Sequence, residues 1–209
     1  SQVRGKPRFK SFSEFLPVME TYAALFADPS FIEAEFAQLA GNLPRKLQCT
    51  TGFLADFLTS AEPRFKESIL AFVDGLLGGQ VDDTERDMAS MLAHYERIYG
   101  DFYLPYFRDK CYVLENYLVN DALVSMFPFN RRTYLDAYRV MVFNLAIIQV
   151  MLVGIAGHYQ GLTDDRVVQF IQTFTRRSAH NSSYLGKLTE AIASKDSPSF
   201  VEVMWMLKE

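Results

Sequence analysis

"VMVFNLAIIQVMLVGIAG", residues 140–157, decides the fold. It runs for 18 positions without a charge, close to the shortest stretch that crosses a bilayer. Asn144 and Gln149 interrupt it, Gly154 and Gly157 weaken its end, and Arg139 and His158 are modest flanks. No second span accompanies it. A helix that is apolar all round is also what the centre of a helical bundle requires. The segment is therefore expected to be a buried central helix over about 133–159, with peripheral membrane contact left open.

The rest of the chain reads as helices around that axis. Hairpin dipeptides between alternating runs are lacking, and apolar residues recur three or four apart. In residues 11–28, Phe12, Phe15, Met19, Tyr22 and Phe26 share a stripe, and Ser11 and Glu14 are in capping-box register. Asp28-Pro29 starts a helix that Gly41 ends, and Glu62-Pro63 starts one running to about residue 77, closed by Gly78-Gly79. The next begins among the acids of residues 81–87. Tyr99-Gly100 and Pro105 are expected to interrupt the pattern before an element over about 106–126. Thr163, Asp164 and Asp165 open a helix carrying Val167, Val168, Phe170, Ile171 and Phe174. Helices over about 183–194 and 198–207 complete an all-α bundle domain of eight or nine helices over residues 11–209, with 1–10 a basic linker or truncated end.

Totals narrow the function. The 209 residues include 49% hydrophobic and 22% charged, an ordinary globular balance. A net charge of −4 gives no electrostatic case for nucleic acid. Two cysteines, Cys49 and Cys111, provide neither a disulfide framework nor a four-thiolate metal site, and are expected to be reduced, buried thiols in a cytoplasmic protein. "DGLLGG", residues 74–79, follows a helix rather than the strand a dinucleotide loop needs. His94, His158 and His180 have no metal-motif spacing, and no metal ligand is assigned.

Two polar stripes remain. In "LENYLVNDALVSMFPFN", residues 114–130, Asn116 and Asn120 are i, i+4 neighbours with Glu115 beside the first. Tyr112, Leu114, Tyr117, Leu118, Leu123 and Met126 around them are expected to be buried. Buried polar groups need partners, which leaves a structural network or a ligand site open. In "VVQFIQTFTRRSAHN", Gln172, Arg176 and His180 follow one another at four-residue steps, and Asn181 comes next. That stripe is either a solvated face or a contact with a partner or domain.

The succession E-N-Y-L-V-N, F-P-F, a long apolar helix with a small-residue end, then Q-x-F-x-R…H-N resembles the C-terminal half of the flagellin lysine N-methylases. The resemblance covers about residues 105–192, with 10–104 fitting as helices of suitable length. It implies a bacterial, cytoplasmic enzyme that methylates lysine ε-amines of flagellin with S-adenosylmethionine. It also implies an N-terminal cysteine-rich part holding an iron–sulfur cluster, whereas this chain has no cysteine before residue 49. The chain is then expected to be a helical C-terminal domain, inactive alone and without cofactor of its own. It would scaffold the missing part or present flagellin or cofactor through Glu115, Asn116, Asn120, Gln172, Arg176, His180 and Asn181. Catalytic residues stay unassigned, and self-association stays open. The alternative is a ligand-binding or dimerisation module of a regulator.

Overall fold

The computed structural model describes residues 27–38, 41–58, 62–78, 88–127, 133–180 and 205–208, with isolated positions within 13–24 and 184–186. The chain groups into two compact units, Ser1–Ala40 and Gly41–Glu209. In the first, Asp28 opens α1 (Pro29–Gln38), as its sequence signals indicate. Its carboxylate accepts from the Ser30 backbone N–H at 3.0 Å and the Ser30 hydroxyl at 2.6 Å, which holds the Asp28 pKa below the usual range.

The second unit is built of α2 (Leu43–Leu58), α3 (Pro63–Leu77), α4 (Met88–Ile98), α5 (Tyr112–Ser125), α6 (Tyr134–Tyr159) and α7 (Asp164–His180). Among the described residues the fold is all-helical, in seven continuous rods rather than eight or nine. The helices expected over 11–28, 183–194 and 198–207 lie mostly outside the described residues; of the last, the described Trp205–Leu207 forms a 3-10 turn.

Two differences from the sequence reading have local causes. The start and stop signals assign no helix between Gly41 and Glu62, yet α2 lies there. Asn42 caps it by accepting from the Arg45 N–H at 3.1 Å. Thr50, a poor helix former, returns its hydroxyl to the Lys46 carbonyl at 2.8 Å. Nor does the chain break at Tyr99-Gly100 and Pro105. α4 continues through a π turn, Tyr99–Tyr103, and a last α turn, Leu104–Phe107, whose start accommodates Pro105. A ladder of Tyr95, Tyr99, Tyr103 and Phe107, with ring centroids 6.5, 5.1 and 4.5 Å apart, holds that rod together. The break falls later, at Arg108–Cys111.

α6 is the hub. Thr133 caps it by accepting from the Asp136 N–H at 3.0 Å, and it runs unbroken for 26 residues. Of its most apolar 18-residue window, 83% is buried inside the protein. The helix therefore has the length and apolarity of a membrane span but is sheathed by its neighbours: α2, α3, the α4 rod, α5 and α7 all touch it. The most extensive of these contacts is with α3, and glycine makes it. A Cβ on Gly75 would lie 1.8 Å from the Gly154 carbonyl oxygen, and one on Gly154 would lie 2.7 Å from the Phe72 carbonyl oxygen. Gly75 and Gly154 thus serve a helix crossing, not a helix end; Gly78, at φ 65, is the glycine that ends α3. α7 turns Val167, Phe170 and Phe174 inward, where Phe65 of α3 meets Phe170 and Phe174 at 6.5 and 6.4 Å.

Candidate functional site

The two polar stripes have different surroundings. On α5, Glu115, Asn116 and Asn120 are all exposed. Of the apolar residues expected to bury them, Tyr117 is buried and Leu114 and Leu118 half-buried, but Tyr112, Leu123 and Met126 are 51%, 72% and 71% exposed. The reason is compositional. Apolar side chains ring α5, so packing one side against α6 leaves the other in water. Glu115 and Asn116 stand on that outer surface, whereas Asn120 reaches a cavity.

On α7, Gln172 and Arg176 are exposed, opposite the face that buries Phe170, Phe174 and Ser178. Arg176 approaches Glu62, at the start of α3, to 3.7 Å. With Phe65, Thr173 and Arg177 the pair lines a hollow of about 230 Å³. His180 ends α7; its side chain and Asn181 lie outside the described residues.

Between α5, α6 and α7 is a larger cavity of about 480 Å³, within the size range of small-ligand sites. Its polar wall is formed by Asn120, Asp121 and Ser125 of α5, Asn144 of α6, and Thr175 and Ser178 of α7. Tyr117, Val124, Val140, Met141 and Ile171 contribute apolar surface. Tyr184 is wholly buried and donates from its hydroxyl to Asn144 Oδ1 at 2.5 Å. This bond explains the Asn that interrupts the apolar helix: at 5% exposure it needs a partner, and the tyrosine provides one. Burial pushes the phenol pKa values of Tyr117 and Tyr184 well up, and the Asp121 carboxylate adds to both shifts. The sequence reading does not select Asp121, Asn144 or Tyr184. Asn144 alone leaves a trace there, as a polar residue in an otherwise apolar run.

Other polar groups are structural. His158 Nδ1 pairs with Asp74 at 2.5 Å across the α3–α6 crossing, and His94 Nε2 meets the Gly75 carbonyl at 3.0 Å. Asp164, first residue of α7, accepts from the Tyr106 hydroxyl at 2.8 Å and from Lys110. Cys49 is half-buried, and burial raises its pKa; Cys111 is exposed, contrary to the expectation that both thiols are buried.

Compared with known families, the chain matches the FliB lysine N-methylase C-terminal domain over residues 6–206. The protein belongs to that family. No curated protein and no solved structure matches it significantly. The family match takes in the α2–α4 region as well as the segments that carry the resemblance, so the hub, the glycine crossing and the α5–α7 cavity all lie within this FliB C-terminal domain.

Proposed function

We propose that this chain is the helical support of a methylase that transfers methyl groups from S-adenosylmethionine to lysine ε-amines of flagellin, in the cytoplasm. The observation that carries this reading is the family match across residues 6–206. S-adenosylmethionine supplies the methyl group when bound; the chain's own residues position and admit.

An iron–sulfur cluster does not fit this chain. Such clusters are held by about four thiolates, and the two cysteines sit in α2 and in the turn before α5. Among the described residues no three His, Cys, Asp or Glu side chains converge as metal ligands. We assign such a cluster to a cysteine-rich part preceding this domain in the full-length enzyme.

Arg176 is the group proposed to hold a carboxylate, of the cofactor or of flagellin. Its guanidinium is presented in a hollow and already leans toward one carboxylate, Glu62. Arg176→Ala in the full-length enzyme should cut methyl transfer to purified flagellin while circular dichroism stays unchanged. Undiminished transfer would retire that role, and the absence of any transfer by the unaltered full-length enzyme would overturn the methylase reading itself.

A further inference from the structure

We propose that the cavity between α5, α6 and α7 receives an alkylammonium group, the side chain of a substrate lysine, with Asp121 as its anionic anchor. Three observations carry this. The first is charge: the described lining holds one carboxylate and neither lysine nor arginine, so it favours a cation over an anion. The second is composition. Val124, Val140, Met141 and Ile171 offer apolar surface to a four-carbon stem, while Ser125, Thr175 and the Asn amides offer oxygen acceptors to the three N–H donors of an ammonium. The third is access. Asn120 and Val124 at its edge are exposed, Val124 by 83%, so a side chain carried on a protein can enter from outside.

Asp121 need not be idle for this. Its field already acts on Tyr117 and Tyr184, and a carboxylate has about four lone-pair sites, so it can accept from an ammonium as well as from present neighbours. The methylase reading enters only in choosing lysine among amines.

The test is NMR titration of the 209-residue chain with Ala-Ala-Lys-Ala-Ala and with the same peptide carrying norleucine in place of lysine. The lysine peptide should shift the Asn120 and Asn144 side-chain amide signals and bind at least tenfold more tightly than the norleucine peptide. Asp121→Asn should remove that preference. If Asp121→Asn proves unfolded, Val124→Lys, an exposed change that sets a cation at the mouth, should remove it instead. Equal affinity for the two peptides, or a lysine preference that survives in the folded variants, would overturn the proposal. A methyl-transfer assay of the full-length enzyme separates the two readings. Transfer without lysine preference in the cavity rejects this site alone; lysine preference without transfer rejects the methylase function alone.

Discussion

Arg176 and Glu62 show how little a surface ion pair stabilises a site. Their side chains are 67% and 60% exposed and 3.7 Å apart, a geometry worth at most about 1 kcal/mol. Arg176→Ala should therefore move the urea midpoint only slightly; a loss of about 3 kcal/mol would mean that the residue is structural. Asp164 offers a pH test. Hydrogen bonds from Lys110 and then Tyr106 hold its carboxyl below the usual value. Because the folded pKa lies below the unfolded value of about 3.9, the contribution is complete above that value and disappears as pH falls through the folded pKa. Asp164→Asn should lower the denaturation midpoint at pH 7 and match the wild type at the acid limit. A deficit that persists unchanged there would assign the effect to something other than the charge. At residue scale the sequence names charged groups but not their partners: Asp164 meets Tyr106 and Lys110 across 58 and 54 positions.

At the scale of elements, one helix end and one crossing can be tested. Gln160 closes α6 in the left-handed region at φ 55, with the Gly161 N–H returned to the Ala156 carbonyl at 2.9 Å. Glycine tolerates that conformation without the Cβ penalty. Gln160→Gly should stabilise the fold by roughly 0.5–1 kcal/mol in thermal unfolding; a destabilised variant would show that the glutamine side chain matters more than its φ. α5 ends similarly on Met126, φ 59, so the helix stops before the Phe-Pro-Phe motif is complete. The α3–α6 crossing is less forgiving. Gly154→Ala puts a methyl 2.7 Å from the Phe72 carbonyl oxygen and 2.5 Å from its ring. Overpacking against backbone, which cannot turn aside as a side chain can, should cost about 3 kcal/mol or prevent folding. A variant with wild-type stability would mean that the helices can separate there.

For the whole molecule, the decisive quantity is how much of α6 is hidden. With 83% of its most apolar window buried, the chain has already used the surface that would drive insertion into lipid. In a flotation assay with phosphatidylcholine and phosphatidylglycerol vesicles, it should remain with the aqueous fraction. Co-flotation would show that α6 can leave the bundle. Hydropathy alone could not separate these outcomes, since a bundle axis and a bilayer span require the same composition.

What the sequence determined by itself was local. The 3.6-residue periodicity, Asp28-Pro29, Glu62-Pro63, Thr163 and Gly78 place the all-helical class and most helix starts, because those signals act within a turn of themselves. The order of its motifs also pointed to the right family. Tertiary structure decided which apolar faces are covered and which polar groups meet. It left the outer side of α5 in water, carried the α4 rod through Pro105, drew Gly75 onto Gly154, brought Asp121 and Asn144 to one cavity, and set the Tyr184 hydroxyl on Asn144. These are contacts across tens of residues, and periodicity along a helix carries no information about which neighbour its face will find.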